Sequence, residues 1–215
     1  MTGKTSIEDA YGVEGGEALT RLYSDWAETY DESFAAAHGY IVPDHLARIL
    51  TETAGSDDGL FPVLDIGAGT GLVGAALVAA GVEGATDALD LSAKMLEVAG
   101  AKGLYRNRIC ADLTETLPVA DRSYGGFVSA GTFTHGHVGP NCLPELLRIA
   151  KPGALFCLSI NAQVFDEAGF GSAFADLVAV GEITPLNFHR IAFYSPEATH
   201  DHAQDTGLVA VFRRV

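Results

Sequence analysis

Basic residues are scarce: 13 Lys and Arg stand against 28 Asp and Glu, a formal charge of −15 at pH 7. That balance excludes wrapping a nucleic-acid backbone, which needs many cations to displace condensed counterions. It also disfavours an anionic membrane surface. Cysteine is scarce too, and the three present, Cys110, Cys142 and Cys157, form no CxxC pair. Neither a disulfide framework nor a thiolate zinc site is expected. No run of about 18 apolar residues occurs, so no membrane-spanning helix is expected. The opening MTGKTSIEDAYGVEGGE lacks a basic region followed by an apolar core, the form of a secretory signal. A reduced, cytoplasmic protein is the resulting expectation. Internal repeats and low-complexity tracts are missing as well.

What is present is 215 residues with 48% apolar content, enough to bury a substantial core and too apolar for disorder over most of the chain. The expectation is a mobile tail at residues 1–16 and one domain at 17–215. Within it, residues 17–55 are helical and 56–215 form an α/β core. Leu19, Leu22, Tyr23, Trp26 and Tyr30 recur at helical spacing. A second helix over 43–53 carries Pro43 in its first turn. After a turn-rich break, short strands at 62–66, 85–91, 108–111, 126–130 and 154–160 alternate with helices. Such alternation predicts a parallel sheet covered on both faces. Thr86 and Asp87 weaken the second strand, and Ser92 suits the cap of the helix that follows. Phe174, Leu177 and Val178 suggest one more helix. Residues 188–194 and 208–212 read as strands without a helix between them, hence antiparallel neighbours at a sheet edge.

The most informative segment is Val63-Leu-Asp-Ile-Gly-Ala-Gly-Thr-Gly, a strand running into three alternating glycines and then a helix. Glycine lets the backbone turn tightly and lets a ligand touch main chain. The carboxyl end of the first strand is where open α/β sheets bind ligands. Gly69, Gly71 and Gly74 also spell GxGxxG, the dinucleotide fingerprint. Against a nicotinamide cofactor, Asp65 would face its pyrophosphate at a like-charge penalty. No Tyr-x-x-x-Lys pair exists, and no room remains for a separate substrate domain. An amino group on the ligand would instead welcome Asp65. Asp90 follows Gly71 by 19 residues, at the end of the second strand, where a carboxylate can accept from both ribose hydroxyls. The competing reading of this segment is a capping turn. Asp112 follows the third strand and suits the exocyclic amine of adenine. Leu91, Met95 and Leu113 would form the apolar slot, or Met95 is simply core.

These residues resemble the class I S-adenosylmethionine-dependent methyltransferases. The matching motifs are VLDIGAGTG (63–71), LDLSAKML (89–96), ADLTETLP (111–118) and KPG (151–153), in the usual order over residues 20–215. WAETYD (26–31) resembles the lid helix of small-molecule members. SAGTFTHGHVGP (129–140) resembles the branch containing the methyltransferase-like protein of the Williams–Beuren syndrome region and its bacterial relatives. The resemblance implies a seven-stranded, Rossmann-like sheet in the order 3-2-1-4-5-7-6 with strand 7 antiparallel, and residues 17–55 as an N-terminal lid. It implies that Asp65, Gly67, Ala68 and Gly69 hold the methionine moiety of S-adenosylmethionine. Asp90 would then hold the ribose, and Leu91, Met95, Asp112 and Leu113 the adenine. Tyr23, Trp26 and Tyr30 would close over the sulfonium, unless these aromatics serve only helix packing. Ser129, at the end of the fourth strand, joins the cofactor set.

Departures narrow the chemistry. Ser129-Ala-Gly stands where amino-methylating nucleic-acid enzymes carry Asn/Asp-Pro-Pro-Tyr. Cys142 follows Asn rather than Pro, unlike the nucleophile of cytosine-C5 enzymes. The fourth strand ends without the aspartate of metal-dependent catechol-type enzymes. The expected activity is metal-independent methyl transfer to a small-molecule acceptor by in-line displacement, leaving S-adenosylhomocysteine. Partners among nucleic acids and membranes are not expected, and no oligomeric state follows. His135 and His137 would contact the acceptor or act as base, or else structure a Gly-rich loop. Asn161 would line the acceptor pocket. His200-Asp-His202 is expected to be a solvated turn rather than a metal site. The competing functions are a non-catalytic S-adenosylmethionine-binding protein and an NAD-dependent oxidoreductase.

Overall fold

The computed structural model describes residues 16–56 and 59–215, so the tail expected at 1–16 lies, but for Gly16, outside the described residues. In chain order, α1 is Gly16–Trp26, followed by a π-helical segment Asp31–Ala36, and α2 is Val42–Ala54. The alternating part runs β1 Val63–Ile66, α3 Leu72–Ala79, β2 Thr86–Asp90, α4 Ala93–Ala101 and β3 Arg108–Cys110. It continues with β4 Tyr124–Phe133, α5 Leu143–Ile149, β5 Ala150–Asn161, α6 Phe170–Ala179, β6 Asn187–Ala192 and β7 Thr206–Arg213.

The strands form one seven-stranded sheet in the order β3-β2-β1-β4-β5-β7-β6. Neighbours from β3 to β5 pair in parallel, and β7 runs antiparallel to both β5 and β6. The order reverses between β1 and β4, which opens a crevice at their carboxyl ends. All four residues of β1 are buried, as a central strand covered on both faces requires. Side-chain alternation sorts the core into two layers. Leu155 and Cys157 of β5 pack with α2 and α3, whereas Phe156, Leu158 and Ile160 pack with α5 and α6. On the second face Phe127 stacks on Phe156 at 4.2 Å and Phe156 on Phe212 at 4.7 Å, across β4, β5 and β7.

Asp87, the residue that weakened β2 as a sequence, is 1% exposed. Its carboxylate accepts from the Arg106 guanidinium at 2.9 and 2.7 Å, from Tyr124 Oη at 2.8 Å and from Asn107. A buried acid so paired is tolerated in a strand. β4 begins earlier than expected, at Tyr124. It passes so close to the 59–60 turn that a Cβ on Gly125 would lie 1.8 Å from the Gly59 carbonyl oxygen. Pro140–Cys142 forms a 3-10 turn ahead of α5, so the α-helix between β4 and β5 is short. Among the described residues no helix is long and apolar enough to cross a membrane.

Candidate functional site

The chain leaves β1 through Gly67, Gly69 and Gly71, with φ of +64°, +54° and +92°. L residues with a Cβ rarely adopt that region, so glycine is required here. A Cβ on Gly67 would sit 2.0 Å from Thr132 Oγ1, whereas one on Gly69 would meet nothing within 4 Å. Gly69 therefore faces open space, the wall of the larger of two cavities in the crevice. Gly74 has a different reason. A Cβ there would lie 2.5 Å from Tyr105 Oη, which accepts from Gly74 N at 3.1 Å. The GxGxxG spacing thus reflects packing of Tyr105.

Asp90 ends β2 on the same wall. Its Oδ2 accepts from Gly69 N and its Oδ1 from Ser92 N, both at 2.8 Å. Burial pushes its carboxyl up, and these backbone bonds oppose the shift. Each carboxylate oxygen accepts about two bonds, so the aimed group retains capacity toward the cavity. Ser92 Oγ caps α4 by accepting from Met95 N at 3.3 Å. The capping turn and the carboxylate at the strand end are one construction. Asp112 Oδ1 accepts from both donors of Thr114, N at 2.8 Å and Oγ1 at 2.6 Å, and the residue lines the cavity beyond Asp90. Leu91, Met95 and Leu113 form apolar wall there. Met95, 2% exposed, is core and wall together.

The N-terminal segment covers this crevice. Tyr23 and Tyr30 line the larger cavity. Ser24 Oγ meets Ser92 Oγ at 3.1 Å, and Asp31 accepts from Thr70 Oγ1 at 2.5 Å. A smaller cavity adjoins the first. The two share Tyr23, Tyr30, Tyr40, Gly131 and His137. The smaller one reaches Trp26, Thr134, His135, Asn161 and Tyr194.

Four expected cofactor or catalytic positions stand elsewhere than on the larger cavity's wall. Trp26 and His135 line the smaller cavity. Trp26 is 2% exposed and donates Nε1–H to Ser33 Oγ at 2.7 Å. Ser129 is turned into the sheet, where its hydroxyl donates to the Ile66 carbonyl at 2.9 Å. Asp65 lies fully buried behind the glycine loop. Its Oδ2 accepts from Tyr105 Oη at 2.6 Å, and its Oδ1 has no partner. Burial pushes the Asp65 carboxyl up to about 7, against the lowering effect of the Tyr105 bond.

His137 Nδ1 lies 2.6 Å from the His135 carbonyl oxygen. A carbonyl only accepts, so Nδ1 carries the proton and the neutral ring presents Nε2 as acceptor. Tyr23 Oη, 3.2 Å away, donates to it. Burial holds the His137 ring below the usual histidine range and the Tyr23 hydroxyl above the usual tyrosine range. His200 packs edge-on against Tyr194 and His38 at 4.4 and 4.9 Å, and His202 pairs with Asp205. Among the described residues no group of three or more His, Cys, Asp or Glu is placed to hold a metal ion.

Sequence reasoning missed Tyr40, Thr132 and Tyr105. Tyr40 reaches the site because residue 40 bridges to Tyr194. Tyr105 sits 40 positions from the Asp65 it contacts, and no local pattern signals it.

The cavity suits an adenosyl sulfonium compound in two respects. A ligand can occupy the space that a Gly69 side chain would fill, and the Asp90 carboxylate on the same wall keeps acceptor capacity for hydroxyl donors. Comparison with known proteins agrees. Residues 64–158 match the family described as "Methyltransferase domain". The human "Methyltransferase-like protein 27" is 32% identical over 161 residues, 74% of this chain, and the chain spans 64% of that protein's length. A SAM-dependent methyltransferase from Aquifex aeolicus superposes with a TM-score of 0.59 at 20% identity, covering 88% of this chain and 97% of that one. The [4+2]-cyclase SpnF gives 0.65 at 15% identity, covering 94% and 97%. By strand order, glycine loop and matched residues together, residues 64–158 carry a methyltransferase domain, on the fold of the class I, S-adenosylmethionine-dependent kind.

Proposed function

We propose that this protein transfers a methyl group from S-adenosylmethionine to a small-molecule acceptor, without a metal ion, and releases S-adenosylhomocysteine. The observation that carries the reading is Asp90. It is a carboxylate fixed by Gly69 N and Ser92 N at 2.8 Å each, facing a cavity that opens into a second one. In this reading Asp90 accepts from the ribose hydroxyls, and Asp112 from the adenine amine. Leu91, Met95 and Leu113 take the base, and Asp65 balances the ammonium of the methionine moiety through the loop of Gly67, Ala68 and Gly69.

The bound donor supplies an already activated methyl on a sulfonium. The chain's own contribution is alignment and exclusion of water. Tyr23 and Tyr30 close the junction between the cavities, and Trp26 packs behind them. His137 stands at that junction and His135 deeper in the acceptor side, with Asn161 at the end of β5. The acidic chain, at −15, repels polyanions and favours a small acceptor over nucleic acid or an anionic membrane surface.

Calorimetric titration of the full chain with S-adenosylmethionine, S-adenosylhomocysteine and NAD tests the reading, followed by isotope tracing from a labelled methyl donor. Binding of both adenosyl compounds and a labelled small-molecule product is expected. Binding without any methylated product would support the non-catalytic alternative. Binding of NAD alone would overturn the assignment.

A further inference from the structure

The smaller cavity carries information about the acceptor that the larger one does not. Among the described residues no Asp, Glu, Lys or Arg lines it. A carboxylate or phosphate acceptor would lose its hydration there without a counter-charge, and an ammonium would find no carboxylate. The walls are ring after ring. Trp26 meets Tyr30 at 5.0 Å, Tyr30 meets Phe34 at 4.9 Å, Phe34 meets Tyr40 at 5.4 Å and Tyr40 meets Tyr194 at 6.0 Å. Aromatic edges and faces favour an aromatic guest through offset and edge contacts. At the mouth toward the larger cavity, the Tyr23 hydroxyl donates to a histidine nitrogen with no other described partner. A neutral amine attacks through its lone pair and needs no such relay, whereas a hydroxyl must shed its proton to become a good nucleophile.

We propose that the acceptor is an uncharged aromatic alcohol, a phenol, seated among these rings and relieved of its proton through Tyr23 and His137. This rests on the larger cavity holding the methyl donor. The acceptor oxygen bonds to the methyl carbon as the methyl–sulfur bond breaks, and that bond's electron pair stays on sulfur. The phenolic proton passes to the Tyr23 oxygen while Tyr23's own proton passes to His137 Nε2. Tyr23 ends neutral, and His137 ends as an imidazolium that returns its proton to solvent after release. Burial, which holds the His137 ring below the usual histidine range, keeps Nε2 available as acceptor at neutral pH.

The chain contains a single tryptophan, Trp26, and it lines this cavity, so binding can be read without turnover. The test titrates the full chain, with and without S-adenosylhomocysteine, with 4-methylphenol, benzoate and benzylammonium while following Trp26 fluorescence. Saturable binding of 4-methylphenol, about tenfold or more tighter than either ion, is expected. Labelled methyl should appear on its oxygen. Turnover should rise with pH through an inflection below the ordinary histidine value of 6.5. Tyr23→Phe keeps the ring, and should cut turnover about a hundredfold and abolish that inflection. His137→Gln should do the same. Tighter binding of either ion, no binding of 4-methylphenol, or an unchanged pH profile in both variants would overturn the inference. Failure of S-adenosylhomocysteine to bind in calorimetry would instead sink the donor-site reading beneath it.

Discussion

Lys102 Nζ stands 2.5 Å from Asp31 Oδ2 and ties the N-terminal segment to the end of α4. Asp31 also takes the Thr70 hydroxyl, so one carboxylate bridges the cover, the glycine loop and the end of α4. The groups are partly exposed, at 26% and 37%, which limits the pair to about 1 kcal/mol. Asp31→Asn and Lys102→Ala should each accelerate hydrogen exchange of the amides over 20–36 and speed S-adenosylhomocysteine dissociation by about fivefold. Unchanged exchange in both would mean that ring packing alone holds the cover.

Asp90→Ala removes a charged acceptor from the ligand and from two backbone donors at once. S-adenosylhomocysteine affinity should fall by about 1.5–3 kcal/mol, the usual worth of charge-assisted bonds. The melting temperature should also drop, because Gly69 N and Ser92 N lose their partner. Calorimetry and thermal unfolding separate the two effects. An unchanged dissociation constant would remove Asp90 from the site.

If Asp65 balances the ligand's ammonium as proposed, ligand binding should depend on pH. Its folded carboxyl titrates near 7 against 3.8 for the free group, so the folded state keeps a proton that the unfolded chain has lost. Between about pH 4 and 7, stability should therefore fall as pH rises. An ammonium-bearing ligand favours the ionised form. S-adenosylhomocysteine affinity should then increase up to about pH 7 and level off, with proton release on binding below it. 5′-Methylthioadenosine, which lacks the amino acid, should show no such slope, and Asp65→Asn should flatten the slope of the first ligand. Equal slopes for the two ligands would move the ammonium away from Asp65.

Gly74→Ala would push a Cβ to 2.5 Å from Tyr105 Oη and 2.6 Å from its Cζ. The expected cost is about 1–3 kcal/mol of stability by overpacking, read by denaturant unfolding. If Gly74 instead served a dinucleotide, the variant would remain stable and lose only ligand affinity.

What was legible in the sequence is what local pattern encodes. The strand–glycine–helix transition at 63–72 and the acids at successive strand ends depend on neighbours within a few positions. Their period carried the sheet order through family resemblance. What was not legible rests on distant partners. Asp87 looked wrong for a strand because its compensation comes from Arg106, Asn107 and Tyr124. That Asp65 is held from behind had no local sign, because Tyr105, which donates to its Oδ2, lies 40 residues on. Tyr23, Trp26 and Tyr30 posed a choice between packing and site. The structure answers with both: the rings pack on one another and line the cavities. The π-helical turn at Asp31–Ala36, which brings Phe34 onto Tyr30 and Tyr40, has no periodic signature.

The proposed function stands on an adenosyl sulfur compound lying between the glycine loop, Asp90 and Asp112. A crystal structure of the full chain grown with S-adenosylhomocysteine tests it most directly. Ribose hydroxyls are expected within hydrogen-bonding distance of the Asp90 carboxylate, and the adenine amine beside Asp112. Density for the compound outside this crevice, or an Asp90 that keeps only Gly69 N and Ser92 N as partners, would contradict it.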